Sequence, residues 1–82
     1  MKILYFARFR ERLGCAEELW QGVPPVTTIQ DLVTALVARG GAWEEVFGGS
    51  RFLASVNQEI VPLSASISPE DEVAFFPPVT GG

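Results

Sequence analysis

The chain has 82 residues, of which 48% are hydrophobic, and ten acidic against six basic residues give it a net charge of −4. That length predicts one domain with a thin core, and the hydrophobic fraction excludes an intrinsically disordered segment. The acidic balance argues against nucleic acid as a partner, because phosphate binding needs clustered Lys and Arg. No apolar run approaches the roughly 18–20 residues of a membrane span.

Targeting and redox features are sparse. The N-terminal segment runs from a short apolar stretch straight into charges, unlike a secretory signal. Cys15 is the one cysteine, so it cannot form an internal disulfide that would indicate an oxidising compartment. We therefore expect a cytoplasmic protein with no membrane contact, and we interpret Cys15 as an incidental thiol rather than part of a sulfur relay.

The first predicted strand covers residues 2–7, which are aromatic and branched. Both of its faces are apolar, which indicates a central strand or one whose second face meets a partner. Residues 17–22 form a second, weaker strand with Trp20 as its anchor. Between the two strands, arginines at alternate positions predict a solvated or partner-facing edge: Arg8, Arg10 and Arg12.

A helix follows the proline pair at positions 24 and 25. Thr28 is the predicted N-cap, and Asp31 lies three residues later near the positive end of the helix dipole. Helical spacing predicts one apolar stripe, made of Ile29, Leu32, Val33, Leu36 and Val37. Gly40 and Gly41 are expected to end this helix, and residues 43–47 to add one short helical turn.

The second half of the sequence predicts strands at 52–56, 60–63 and 72–76. Asn57, Gln58 and Glu59 form a three-residue turn between the first two, and Pro62 restricts the return strand to an edge or a short length. Residues 68–71 have turn chemistry. The predicted fold is an α+β domain over residues 1–76, in which one main helix packs across a mixed sheet of four to five strands.

The last six residues form a distinct segment, 77–82. Pro77 and Pro78 fix their own φ and favour a stiff, extended arm. Gly81 and Gly82 carry no Cβ, so a partner's channel could close tightly on their backbone. A frayed terminus is the plain alternative, because chain ends are commonly disordered.

A terminal carboxylate on Gly82 would be ionised at pH 7 and could attack the α-phosphate of ATP to give an acyl-adenylate. A persulfide could then displace AMP and leave a thiocarboxylate. The sequence has no histidine and no phosphate-binding loop motif, so we expect another protein to catalyse these steps.

Residues 54–61 (ASVNQEIV) and 71–82 (DEVAFFPPVTGG) resemble the small subunits of molybdopterin synthase. The resemblance implies a β-grasp, ubiquitin-like fold and activation of Gly82 by an E1-like adenylating enzyme that uses ATP, with no cofactor bound permanently by this chain. It also implies that the thiocarboxylate tail enters the large synthase subunit and donates sulfur to cyclic pyranopterin monophosphate. In this family two small and two large subunits form a heterotetramer, and the small subunit is not catalytic alone.

Strand alternation extends this interpretation to a docking surface. If Ile3 and Tyr5 face the core, Leu4 and Phe6 share the outer face. We expect an apolar docking patch at the root of the tail, formed by Leu4, Phe6, Phe76 and Val79, with Arg10 at its rim. The other tail residues that we expect to contact the partner are Pro77, Pro78 and Thr80. The alternative is that Phe6 and Phe76 simply cover each other.

Three alternatives concern function. The same Gly82 chemistry could deliver sulfur to the thiazole of thiamin or to another acceptor, although the FFPP segment favours the molybdopterin branch. A ubiquitin-like modifier, attached to other proteins through an isopeptide bond, belongs to a second class. A stand-alone enzyme has almost no support, because the usual acid–base residues are missing.

Overall fold

Within residues 1–49 and 51–78, which the computed structural model describes, five strands form one mixed sheet. They are β1 (Lys2–Tyr5), β2 (Glu17–Leu19), β3 (Leu53–Val56), β4 (Glu59–Val61) and β5 (Glu72–Phe76). The strand order is β2-β1-β5-β3-β4, with β1 and β5 parallel and the other pairs antiparallel. The predicted α+β class is confirmed, and β1 is central, as its two apolar faces indicate.

Three helices occur in the same described part of the chain: α1 (Arg8–Leu13), α2 (Ile29–Val37) and α3 (Ala42–Gly48). The Thr28 side chain accepts a hydrogen bond from the Asp31 backbone N–H at 3.1 Å, which confirms the predicted N-cap of α2. The predicted stripe of α2 packs into the core, with Val37 only partly buried. The short helical turn is confirmed as α3, which is longer than predicted.

The core lies between the helices and one face of the sheet, which we call the inner face. Ile3, Tyr5, Val73 and Phe75 are its central residues and are essentially inaccessible to solvent. Aromatic rings from α1 and α3 complete it, with the Phe47 ring centroid 5.0 Å from Phe75 and 5.3 Å from Phe9.

The prediction of one strand over residues 2–7 was wrong at its end, and α1 was missed. The strand stops at Tyr5, Ala7 has a positive φ of 53°, and a helix begins at Arg8. The helix forms because Phe9 is fully buried and Leu13, one turn later, packs beside the core. Gly14 ends it in the left-handed conformation, with φ of 74°.

Other boundaries also differ from prediction. The second strand ends at Leu19 rather than residue 22, although Trp20 does pack against the core as predicted. The turn between β3 and β4 has two residues, Asn57 and Gln58, both with positive φ, which suits the right-handed twist of a tight hairpin. Glu59 therefore belongs to β4, which ends before Pro62 because proline cannot donate to the ladder.

The end of α2 comes earlier than predicted. The helix stops at Val37 and is capped by Ala38 in a right-handed conformation, so Gly40 and Gly41 lie beyond its cap. Gly40 and Gly41 both have positive φ and form the turn into α3.

Candidate docking face and root of the C-terminal tail

The tail begins at the centre of the sheet. Strand β5 lies between β1 and β3 and ends at Phe76, after which Pro77 and Pro78 are partly buried. The predicted functional residues Val79, Thr80, Gly81 and Gly82 lie outside the described residues. The tail root therefore lies between β1 and β3.

The register of β1, β5 and β3 brings the predicted patch residues to the face away from the helices, which we call the outer face. Leu4 pairs with Ala74, and Phe76 pairs with Leu53. Their neighbours Tyr5 and Phe75 are buried on the inner face, so alternation directs Leu4 and Phe76 outward. The described members of the patch therefore share one face.

Phe6 follows β1 directly and donates a backbone hydrogen bond to the Phe75 carbonyl at 3.1 Å. This bond continues the β1–β5 ladder by one residue and keeps Phe6 beside the tail root. The Phe6 side chain is 46% exposed, so part of its ring remains open to solvent. An aromatic ring held in water at this position is available to a partner.

Two further apolar residues of the outer face were missed in the sequence. Ile60 pairs with Ser55, which pairs with Ala74, and Leu19 pairs with Lys2, so alternation places both side chains on the outer face. They are 62% and 65% exposed. Each lies between a glutamate and an apolar residue, so the local pattern gives no clear signal, and only the strand register assigns them to the same face as Phe6.

Arginines gather at the end of the sheet from which the tail leaves. Helix α1 starts three residues after β1 ends and carries Arg10 on an exposed position. The Arg8 guanidinium donates to the Arg51 carbonyl at 2.6 Å, and Arg12 pairs with Glu45 at 2.6 Å. Arg10 thus lies at the same end as the predicted patch, as its assignment to the rim requires.

A polar cluster links β2 to the end of α2. Glu18 accepts hydrogen bonds from the Tyr5 hydroxyl at 2.6 Å and from both Nη atoms of Arg39, at 2.9 and 3.0 Å. The Arg39 guanidinium also lies 4.4 Å from the Trp43 ring centroid. Burial alone would raise the pKa of Glu18, but the hydrogen bonds from Arg39 and Tyr5 outweigh it and lower that pKa.

Neither Cys15 nor Asn57 gains a chemical role from its surroundings. Burial, reinforced by the nearby Glu18 charge, raises the pKa of the Cys15 thiol and disfavours the reactive thiolate. Asn57 occupies the β3–β4 turn, where its side chain donates to Asp71 and accepts from the Glu72 backbone. These contacts agree with the interpretation of Asn57 as a turn residue.

Residues 1–49 and 51–78 contain no group of three or more His, Cys, Asp or Glu side chains placed to hold a metal ion. They also contain no helix long and apolar enough to cross a membrane.

The architecture is that of a ubiquitin-like β-grasp protein, with a mixed sheet, a helix packed across it and a C-terminal tail leaving a central strand. The chain belongs to the ThiS family, whose profile matches residues 3–82. The resemblance to molybdopterin synthase small subunits noted in the sequence is thereby confirmed at the level of family.

Individual relatives agree. The chain is 39% identical over 83 residues to the molybdopterin synthase sulfur carrier subunit of Escherichia coli K12, covering 100% of this chain and 99% of that protein. Among solved structures it is similar to a putative molybdopterin converting factor subunit 1 from Pyrococcus furiosus, with a TM-score of 0.76, 28% identity and 95% of each chain covered. It is also similar to SAMP1 of Haloferax volcanii, with a TM-score of 0.72, 31% identity, and 100% of this chain and 98% of that one covered.

Proposed function

We propose that this chain is the sulfur-carrier subunit of a molybdopterin synthase and acts in molybdenum cofactor biosynthesis. The observation that carries the proposal is its full-length similarity to sulfur carrier subunits of that name, joined to a diglycine tail on a central strand. The chain supplies the sulfur and the large subunit supplies the catalytic residues, in a complex of two small and two large subunits.

The chemistry proceeds at Gly82. Its carboxylate oxygen attacks the α-phosphate of ATP, pyrophosphate leaves, and an acyl-adenylate forms on an E1-like partner enzyme. A persulfide sulfur then bonds to the carbonyl carbon as the bond to the AMP oxygen breaks, which gives an acyl disulfide. A thiol reductant cleaves the S–S bond of that acyl disulfide, releases the sulfur donor as a thiol and leaves a thiocarboxylate. That thiocarboxylate donates its sulfur to cyclic pyranopterin monophosphate, and a second carrier delivers the second sulfur.

The test is an intact-mass measurement after incubation with ATP, a sulfide source and the adenylating enzyme. We expect a mass increase equal to the replacement of one oxygen by sulfur, and no such increase in a variant lacking Gly82. A variant with an extended or blocked C-terminus that still sulfurates the pterin would refute the proposal, because the reactive group would then lie elsewhere.

The outer face is proposed as the docking surface for the large subunit. We expect Phe76→Ala to weaken that complex by about 2 kcal/mol or more, as loss of an aromatic anchor commonly does. Isothermal titration against the large subunit measures the change, with urea unfolding of the free variant as the control. Unchanged affinity accompanied by lost cooperative folding would assign Phe76 a purely structural role.

A second candidate function has a specific basis, because two of the similar solved structures are small archaeal modifier protein 1 of Haloferax volcanii. In that case the activated Gly82 carbonyl would be transferred to lysine amines of other proteins. Peptide mass spectrometry of trypsin-treated cell extracts distinguishes the two functions, since cleavage after Arg51, the last basic residue, would leave residues 52–82 of a modifier as a remnant on the target lysines. Sulfur on free Gly82 without such remnants would favour the carrier alone.

A further inference from the structure

A cavity of about 160 Å³ lies at the end of the sheet where β1 and β5 begin, opposite the end from which the tail leaves. Lys2 pairs with both Glu72 and Leu19 at this end, and the walls come from the segments just beyond those strand residues. They include Met1, Trp20, Pro25, Val26 and Pro69. A molecule bound in the cavity would therefore leave the docking patch and the tail root free.

Hydrogen bonds hold the walls of the cavity in place without any ligand. The Trp20 backbone N–H donates to the Met1 carbonyl at 2.8 Å, and the N–H of the lining residue Ile67 donates to the Thr27 carbonyl at 3.0 Å. The backbone N–H of Ser68, another lining residue, donates to the Asp71 carboxylate at 2.8 Å. The chain segments around the cavity are thus tied to one another, so a ligand would enter a largely preformed space and order little of the chain.

The walls are mainly apolar and carry one buried donor without a partner. Among the described residues, no charged side chain lines the cavity. The Trp20 indole N–H is buried and has no hydrogen-bond partner in the described part of the chain. An unpaired buried donor costs about 1–3 kcal/mol, so a ligand that brings an acceptor to it is favoured. A charged ligand is disfavoured, because burial among apolar walls would remove its hydration.

We propose that this cavity binds a small uncharged molecule with one aromatic ring and one hydrogen-bond acceptor, which pairs with the Trp20 indole N–H. The volume suits a single ring, since an engineered apolar cavity of about 150 Å³ in another protein binds benzene. The indole of Trp20 and the side chains of Pro25 and Pro69 offer apolar surfaces against which a ring can pack. The proposed sulfur transfer uses none of these residues, so this binding site is an additional function of the chain.

The experiment follows the full isotope-labelled chain by NMR during addition of acetophenone, with α-methylstyrene as the isostere that lacks the oxygen acceptor. Each of the two tryptophans gives one indole N–H signal, so Trp20 reports on the cavity and Trp43, which does not line it, is the internal reference. We expect acetophenone to bind with a dissociation constant of about 1 mM or below and to shift the Trp20 indole proton downfield as the hydrogen bond forms. α-Methylstyrene should bind at least about threefold more weakly, because it leaves that donor unpaired.

Trp20→Phe and Trp43→Phe are the matched variants, and the backbone signals of Val26 and Ser68 report binding in both. Trp20→Phe keeps a ring in the wall but removes the N–H, so it should abolish the preference for acetophenone, whereas Trp43→Phe should retain that preference. Three outcomes would each overturn the inference: no saturable shift at Val26 and Ser68 in wild type, equal affinity of wild type for the two molecules, or a preference that survives in Trp20→Phe. The first two outcomes need only wild type, so the test does not depend on the folding of a variant. The titration needs no ATP, sulfide or partner enzyme, so its result is independent of the proposed function.

Discussion

Glu18 holds together the edge of the sheet and the end of the main helix. Its carboxylate accepts the Tyr5 hydroxyl and both Nη atoms of Arg39, and these bonds favour its charged form. The pair is only partly exposed, so solvent screens it less than a surface ion pair. This one side chain therefore ties the three-residue edge strand β2 to the buried Tyr5 and to Arg39 at the end of α2.

The pKa shift of Glu18 predicts how stability depends on pH. Its folded pKa lies below the ordinary value of 4.5, so its contribution is full above that value and is lost as pH falls through the folded pKa. Backbone hydrogen bonds from Thr27 and Ser68 lower the pKa of Asp31 and Asp71 in the same direction. We expect the free energy of unfolding in urea to be constant near neutrality and to fall below about pH 4.5.

Glu18→Gln is the control for that prediction. It should reduce stability at pH 7 by about 1 kcal/mol or more, because Arg39 and Tyr5 lose a charged acceptor. Between pH 5 and 3 the free energy of unfolding of this variant should fall less than that of wild type. The difference corresponds to the part of the decrease that comes from protonation of Glu18. A variant with the same acid profile as wild type would mean that Glu18 does not contribute to it.

At the scale of the element, α2 is specified by its ends as well as by its stripe. Thr28 accepts from the Asp31 backbone N–H, and the Asp31 carboxylate accepts from the Thr27 backbone at 3.1 Å and from its hydroxyl at 2.9 Å. The cap satisfies the Asp31 N–H, the third backbone donor of the helix, and Asp31 places a carboxylate at its positive end, while the Ile29 and Gln30 N–H groups donate to the Ala65 and Leu63 carbonyls. The start of the helix is therefore specified by local polar contacts, separately from its apolar stripe.

Thr28→Ala should destabilise the protein by about 1 kcal/mol, since it removes the cap acceptor without touching the core. Thr34→Ala is the matched control, because Thr34 lies exposed in the middle of the same helix and alanine has the higher helix propensity. Thermal unfolding of the two variants provides the measurement. Equal melting temperatures would show that the cap is dispensable here.

For the whole molecule, the main feature is that the inner face of the sheet is buried in the core, whereas the outer face exposes apolar side chains. Phe75 is fully buried on the inner face, while Phe6 is 46% exposed on the side of the outer face. The Phe6 backbone N–H donates a hydrogen bond to the Phe75 carbonyl at the tail root. We therefore expect substitutions on the inner face to change stability and substitutions on the outer face to change partner binding.

Phe75→Ala should cost about 3–5 kcal/mol, because it leaves a cavity among the core rings. Phe6→Ala should cost less than about 1 kcal/mol in stability, since surface changes are usually within a few tenths, yet weaken binding to the large subunit. Urea unfolding and titration of both variants give the comparison. A large loss of stability in Phe6→Ala would show that its ring belongs to the core.

Strong periodic elements were predictable, and elements that depend on distant partners were not. The cap and stripe of α2 are local signals, and both were confirmed. The short helix α1 was missed because the arginines at alternate positions indicated a solvated edge, and the burial of Phe9 against Phe47 is visible only in the tertiary structure. The tight turn at Asn57 and Gln58 was misjudged by one residue, because its positive φ values are imposed by the pairing of β3 with β4.

The sequence alone determined the class of fold and the family, because hydrophobic period, capping chemistry and the FFPP segment are all local in the chain; it left the first strand as either a central strand or one whose second face meets a partner. Only the tertiary structure decided which apolar residues share the outer face with Phe6, since Leu19, Leu53 and Ile60 come from three strands aligned by register. It alone also separated Lys2 from the tail root. The physical reason is that strand order and parallel pairing are set by packing of the whole sheet, which no single segment encodes.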